Sequence, residues 1–392
     1  MVPSRFLGGV LLIVGTSIGG GMLALPVSLA AVGMVHSIIF LIICWLIMTA
    51  GAFLILEVNL RLPPGTNMVS MARETLGVPG ACVTWLICLC LLYSLLAAYI
   101  SGGSDVLHGI LYQAHIALPH WMTSMIFTAA FSMIIYQGIK VVDYVNRVFM
   151  FGKLGTYILL VAIISPYVQT KNLTLGSWSA IQSSLMILIT SFGFASIVPS
   201  LRYYLADDIP LLRRVIFYGS LIPLLCYVIW IFVIMGVVAS DDPQGLMALI
   251  HTDHVTSGLT NALNNAIHHS WISGFFAFFT AICMVTAFLG VSLGLFDFLA
   301  DGLKLQKKGQ EGIWVLMATF LPSLLVVLIC PGIYLNALQY AGICCVIFLL
   351  LLPTLMTWKA RKMGGATHLI PGGNVVLTIM LCIAIGLLTI AI

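Results

Sequence analysis

The sequence predicts an all-α integral membrane protein of eleven transmembrane helices, and three observations predict it. First, 61% of the 392 residues are hydrophobic and 7% are charged, against about 25% charged in average soluble domains. A chain this poor in charge cannot cover itself for water, so apolar solvent must surround most of it. Second, the apolar residues fall in unbroken runs of about twenty, the length a helix needs to cross a bilayer. Backbone polar groups in lipid must be satisfied within the segment. The ten-residue alternating strands of a membrane barrel are not the pattern here. Third, Lys and Arg segregate to one side of the predicted spans, as the bias toward cytoplasmic positive charge requires.

The runs lie at 6–31, 36–60, 81–106, 121–138, 147–168, 180–204, 213–239, 271–298, 313–330, 333–352 and 373–392. With the N-terminus in the cytoplasm, Arg5, Arg61, Arg73, Lys140, Arg147, Lys153, Arg202, Arg213, Arg214, Lys304, Lys307, Lys308, Lys359, Arg361 and Lys362 fall inside and only Lys171 outside. Lys153 is counted with its loop, although it can lie in the membrane. Miscounting one span would invert the assignment from that point and destroy the asymmetry. The expected topology is therefore N-terminus cytoplasmic and C-terminus external, in a cytoplasmic (inner) membrane. Trp85, Trp121, Trp178, Trp271, Trp314 and Trp358 sit near predicted helix ends, where indoles favour the interface. Trp45 and Trp230 do not, and are expected between helices.

Arg5, the apolar run after it and Ser28-Leu29-Ala30 imitate a signal peptide, but the run is too long and is interrupted, so cleavage is not expected. The ten cysteines lie mostly within apolar runs and have no metal-ligand spacing. They read as packed thiols. Residues 63–79 form an inner loop with room for a short interfacial helix around 67–76. Residues 240–270 form an outer loop with Asp241, Asp242, Asp253, four His and no Lys or Arg, long enough either to fold over the outer mouth as a lid or to stay solvated.

Two spans are interrupted. The first contains Gly15-Thr16-Ser17-Ile18-Gly19-Gly20-Gly21-Met22-Leu23-Ala24-Leu25-Pro26 and the sixth Thr190-Ser191-Phe192-Gly193-Phe194-Ala195-Ser196-Ile197-Val198-Pro199-Ser200. Each Gly in a helix interior costs about 0.8–1 kcal/mol relative to Ala, and Pro removes a donor. Close packing through small residues accounts for Gly15 and Gly19. It does not account for three glycines followed by a proline. Spans one and six each open a five-helix half, and five is odd, so the second half enters from the opposite side. Interruptions at matching positions of two inverted halves are a pointer to a transporter's site. The halves are expected at 1–168 and 169–352, with 353–392 a cytoplasmic loop and an eleventh helix.

A broken helix exposes N–H groups at the start of its second half, where the dipole is positive. A carboxylate fits there, against Gly19, Gly20 and Gly21, with the Thr16 or Ser17 hydroxyl nearby. Freed carbonyls near Phe192 and Gly193 can accept from an α-ammonium. The expected ligand is thus a small zwitterion, an amino acid. Phe194 is placed to pack on its side chain, or else on the core. Tyr93 and Tyr99 in span three can offer hydroxyls. Six residues put them about 120° apart around the helix, so both are not expected to face the site.

At these motifs the chain resembles the hydroxy and aromatic amino acid permease family of the amino acid–polyamine–organocation superfamily, and within it the tyrosine-specific branch. The resemblance covers nearly the whole chain. Residues 15–26 are similar to that family's first-helix signature, 190–194 and 198–201 to its sixth-helix motif, Ala98-Tyr99-Ile100-Ser101-Gly102 to its third helix, and 288–302 to its eighth. It implies a leucine-transporter-like fold, alternating access and proton-coupled uptake of an aromatic amino acid, tyrosine first. Tryptophan, serine or threonine is the alternative cargo, with protons or sodium as the coupling ion. One position departs: the family often has His after the Phe-Gly-aromatic triplet, where this chain has Ala195.

Lys153 lies six residues beyond Arg147, about 9 Å deeper at 1.5 Å per residue. An intramembrane charge is a functional hypothesis by default. Desolvation disfavours a charged ammonium, so such a lysine can take and release a proton. The alternative is a lysine that snorkels to the headgroups. The resemblance implies that the ammonium stands where sodium-coupled relatives hold sodium. Its neighbours would be Thr286, Ser292 and the carbonyls near Gly15 and Ile18. Glu57 reads as an interfacial carboxylate, and Asp297 and Asp301 as inner-gate or loop residues. The expected partners are an amino acid, protons and the lipid bilayer. No nucleic acid, cofactor or metal is expected. A channel, the competing class, favours symmetric rings. Nothing resembles a P-loop or an enzyme's nucleophile–base pair.

Overall fold

The computed structural model describes residues 2–173, 176–363, 369–370 and 372–391, and among them no strand occurs. The first run forms α1 (Val2–Ser17) and α2 (Gly20–Ser28), bent by 51° across Ile18 and Gly19. Next come α3 (Met34–Asn59) and α4 (Met68–Gln113). Asn67 caps α4, its side-chain oxygen accepting from the Ser70 N–H at 2.9 Å. Gly77, at φ 80°, sets the arm 68–76 off from the rest of α4. That arm is the short helix expected in the 63–79 loop. The bundle continues with α5 (His120–Gln137) and α6 (Ile139–Ile164).

The sixth run is also two helices, α7 (Leu185–Ser191) and α8 (Val198–Tyr204), joined by a 3-10 turn over Gly193–Ile197. Then follow α9 (Ile209–Val237), two short helices α10 (Leu246–Leu249) and α11 (Val255–Ile267), and α12 (Ser270–Leu303). The chain ends with α13 (Gly309–Ile329), α14 (Tyr334–Cys345), a π-helical stretch Val346–Leu351, α15 (Leu352–Lys362) and α16 (Gly373–Ala391). Residues 364–368, 371 and 392 of the last expected segment lie outside the described residues. Nine helices among the described residues are long and apolar enough to cross a membrane, ten if the bent α1–α2 pair counts as one span. The expected fourth span, α5, is not among them. It is 18 residues long and carries His120 and Gln137 at its ends.

The broken pieces sit at the centre. Every residue of α2 and of α7 is buried, as befits helices that are apolar all round. The second half of the first span, α2, packs against α4, α7, α9, α11, α12 and α14. In turn α4 carries α5, α12, α13 and α14. Trp230 is fully buried between helices and stacks on Phe276 with centroids 5.8 Å apart, while Trp45 donates from Nε1 to the Ser220 hydroxyl at 3.0 Å. The outer surface is studded with large apolar side chains, among them Leu46, Phe151, Leu159, Leu325 and Ile379. Water would not tolerate so continuous a coat, and lipid does.

Polar ties close one end of the bundle. Glu57 at the end of α3 receives Arg361 of α15 in a two-pronged pair, Nε to Oε1 at 2.6 Å and the second prong to Oε2 at 2.9 Å. Both side chains are buried, and Glu57 also accepts from the Leu369 N–H at 3.1 Å. Arg202 of α8 donates to the carbonyls of Asn59 and Leu62 and to Asp207. Lys307 bridges Asp297 and Asp301 at 2.8 and 3.3 Å, and those carboxylates, Asp297 first, raise its ammonium above the ordinary lysine value. At the opposite end the 240–270 segment is folded, with α11 packed on α2, α4 and α12.

Removing one partner of a buried ion pair strands the other, at about 3–5 kcal/mol. Glu57→Ala or Arg361→Ala therefore lowers the thermal midpoint of the purified protein sharply. Replacing both with Leu and Met recovers most of that loss, as read by temperature-dependent monodispersity on gel filtration.

Candidate substrate site at two helix breaks

Three elements pack closely on the three glycines at the first break. A methyl built on Gly19 would lie 3.3 Å from Cβ of Ala287 on α12, and one on Gly21 3.0 Å from the Ser191 hydroxyl on α7. One built on Gly20 would lie 2.5 and 2.8 Å from the Tyr99 ring on α4. The closest approach is at Gly20, where a side chain would have to displace the Tyr99 ring.

The break frees carbonyls, and side chains from other helices take them. Lys153 of α6 donates to the carbonyl of Ile18 at 2.5 Å and to that of Gly15 at 3.4 Å. Its Nζ also lies 3.5 Å from the Thr286 hydroxyl on α12. Lys153 is 2% exposed, so it does not snorkel. Ser292 is buried too, but its hydroxyl donates to the Phe288 carbonyl of its own helix at 2.6 Å, and it makes no bond to the lysine. Tyr334 of α14 donates to the Gly20 carbonyl at 2.5 Å. Tyr227 of α9 lies between the breaks, its hydroxyl 2.6 Å from the Ser17 carbonyl and 2.9 Å from the Ser191 carbonyl. A hydroxyl has one proton to give, so it serves one break at a time.

The N–H side of the first break is different. Among the described residues no hydrogen bond reaches the N–H groups of Gly19, Gly20 or Gly21. The Ser17 hydroxyl is buried and likewise has no partner. Donors left open at a buried helix start are suited to accept an anion, and a Ser hydroxyl can add one more.

The second break supplies less. Phe192 and Phe194 are fully buried, and the Phe192 ring meets that of Tyr227 edge-on at 5.3 Å. The Gly193 carbonyl accepts from the Ser196 hydroxyl at 3.2 Å.

Not all expected residues gather here. Thr16 is exposed and its hydroxyl turns back to the Leu12 carbonyl at 2.7 Å. Tyr93 donates to the Ala318 carbonyl at 2.7 Å, which fixes it on α13, away from the breaks. Tyr99 lies on Gly20, as the angle between the two tyrosines allows for one of them. The sequence reading missed Tyr227 and Tyr334. Tyr227 had a signal, a phenol in mid-span whose tip needs a partner. Tyr334 had none, because at the head of an apolar run it looks like an interfacial anchor.

Two substitutions test this packing. Tyr227→Phe removes the one proton that the Ser17 and Ser191 carbonyls share and costs about 1–2 kcal/mol. Gly20→Ala forces the Tyr99 ring aside and costs about 1–3 kcal/mol. Thermal unfolding of the purified variants measures both, and Gly20→Ala and Tyr99→Ala combine sub-additively because they act on one contact.

Comparison with known proteins matches the chain along its length. The model of the tryptophan/tyrosine permease family matches residues 3–391. A tyrosine-specific transport system 2 of Haemophilus influenzae is 31% identical over 395 residues, covering 100% of this chain and 97% of the relative. A tyrosine-specific transport system 1 of the same organism is 30% identical, covering 97% and 95%. Its tryptophan-specific transport protein is 31% identical, covering 94% and 91%. The family is one of transporters and not of enzymes. A multi-pass helical bundle with a broken, glycine-lined centre, matched from end to end, belongs to the tryptophan/tyrosine permease family.

Proposed function

We propose that this protein is a secondary active transporter that takes up an aromatic amino acid, tyrosine, together with protons across the cytoplasmic (inner) membrane. The observation that carries the reading is the set of open N–H groups at Gly19, Gly20 and Gly21, beside the partnerless Ser17 hydroxyl. In this reading the substrate carboxylate takes those donors. Its ammonium takes carbonyls of the second break near Phe192 and Gly193, and its ring packs among Tyr99, Tyr334 and Phe194. Tryptophan is the competing cargo, since relatives named for tyrosine and for tryptophan are both 31% identical to this chain.

The architecture in this reading has eleven spans. α1–α2 and α7–α8 each count as one, and α5 crosses as the fourth. Residues 1–168 and 169–352 form the inverted five-helix repeats. The end closed by Glu57, Arg202, Lys307 and Arg361 is cytoplasmic, as its basic residues favour. The N-terminus is then inside, the C-terminus outside, and the bundle rocks between inward and outward access.

Lys153 couples the proton in this reading, with Thr286 as its neighbour. A charged ammonium makes stronger hydrogen bonds than a neutral amine. Its protonation state therefore sets how tightly α6 grips the carbonyls of Gly15 and Ile18. Releasing the proton loosens the grip on the first break, and so on the substrate's seat.

Proteoliposomes decide the matter. Radiolabelled tyrosine, tryptophan, phenylalanine and serine are offered under imposed proton and sodium gradients separately. Tyrosine enters, an inward proton gradient drives it, and Lys153→Ala loses that stimulation. Tyrosine that is neither carried nor competes removes the substrate assignment. Proton stimulation that survives in Lys153→Ala removes the lysine from coupling.

A further inference from the structure

At the end of the bundle opposite the Glu57–Arg361 pair, three chain segments bring ligand-type atoms together. Asp105 is near the end of α4, His120 is the first residue of α5, and His254 immediately precedes α11. One ligand atom from each lies within 4.8 Å of the others. Nδ1 of His254 is 3.4 Å from Oδ1 of Asp105, and Nε2 of His120 is 4.0 Å from the same oxygen. Ligands about 2.0–2.1 Å from a tetrahedral zinc ion stand roughly 3.4 Å apart. One of the three pairs is already at that separation and a second is at 4.0 Å. The two histidine nitrogens lie within 4.8 Å of each other, and His120 must turn out of its stack on His254 to direct an in-plane lone pair at a shared ion.

The surroundings are those of a held site. The second carboxylate oxygen of Asp105 accepts from the N–H and hydroxyl of Thr256 at 2.9 and 2.6 Å and from the N–H of Ser257 at 2.9 Å. The Ser257 hydroxyl, 2.6 Å away, is on Oδ1. These bonds fix the carboxylate plane, as outer partners do for metal-ligating groups. His120 is sandwiched between His108 and His254, with ring centroids 4.0 and 4.2 Å apart. Its Nε2 is buried and has no hydrogen-bond partner among the described residues. A buried ring nitrogen 4.0 Å from a carboxylate oxygen and without a hydrogen-bond partner is one that a water or an ion can satisfy.

We propose that Asp105, His120 and His254 form a binding site for a divalent transition metal, zinc by preference, with water completing the coordination. Two imidazoles and one carboxylate make a donor set that suits zinc. The ion ties the start of α11 to α4 and α5, and so holds the 240–270 segment against the bundle. This site is separate from the helix breaks and stands whether or not the substrate assignment does.

The experiment uses the full chain purified in lipid nanodiscs. Zn2+ is titrated by calorimetry, and Co2+ is followed by the visible absorption of a tetrahedral nitrogen–oxygen site. One ion binds per chain, and Zn2+ raises the thermal midpoint. His254→Ala and His120→Ala each weaken binding by roughly tenfold or more, about 1.4 kcal/mol per tenfold. His251→Ala, in the same loop, leaves it unchanged. The His254 side chain is half exposed, so this variant keeps its fold, and an unshifted gel-filtration peak verifies that. Binding that persists unaltered in both ligand variants overturns the proposal. So does a wild-type protein that binds no Zn2+ at micromolar concentration, which leaves His254 and Asp105 as a hydrogen-bonded pair only.

Discussion

A helix interrupted inside a bilayer leaves main-chain groups that no water can satisfy, and the centre of this protein is organised around that debt. The carbonyls at the first break are met from three directions: by Lys153 on α6, by Tyr227 on α9 and by Tyr334 on α14. Each donor comes from a different helix, so the break also fixes how those helices stand relative to one another. An unpaired buried backbone group costs about 1–3 kcal/mol, which makes the arrangement hard to lose piecemeal. The N–H groups are not met in this way: at the first break acceptors are satisfied and donors are open.

The same constraint explains why the breaks need small residues. Backbone can approach backbone or an aromatic ring only where no Cβ intervenes. Glycines 19 to 21 bring α12, α4 and α7 to one short stretch of chain. Elsewhere the device recurs more simply. Gly51 lets α3 approach the Leu349 carbonyl in the π-helical stretch, and Gly342 lets α14 approach the Met186 carbonyl of α7. Without a hydrophobic force between helices in lipid, such close packing and interhelical hydrogen bonds carry the association.

The ends of the bundle obey different physics. Where headgroups and water are near, charge can be used, and one end is tied by the Glu57–Arg361 pair and by the contacts of Arg202 with the end of α3. At the other end no lysine or arginine is offered by the 240–270 segment. There a single carboxylate, Asp105, takes the first N–H groups of α11 and does the work of a helix cap from another part of the chain. That helix gains a fixed seat on α4 through a group more than a hundred residues away in sequence.

Much was legible in the chain itself. Unbroken apolar runs and scarce charge impose helices, because lipid offers the backbone no other partner. The glycine clusters mark where those helices fail, because their cost is local, whereas Pro26, Pro223 and Pro322 lie inside helices that continue through them. A lysine among apolar residues is either buried or snorkelling, and only the fold, which leaves Lys153 2% exposed, decides between them. What the sequence could not carry was which side chains answer the freed groups. Thr16 and Ser17 are neighbours of equal chemistry, yet one faces outward and the other inward. Tyr93 and Tyr99 share a helix, yet one is spent on α13 while the other lies on Gly20. Tyr227 and Tyr334 meet the first break from 210 and 314 residues away, and Asp105, His120 and His254 converge from three segments. Rotation about a helix axis and contact between distant helices are set by packing, and packing exists only once the bundle has closed.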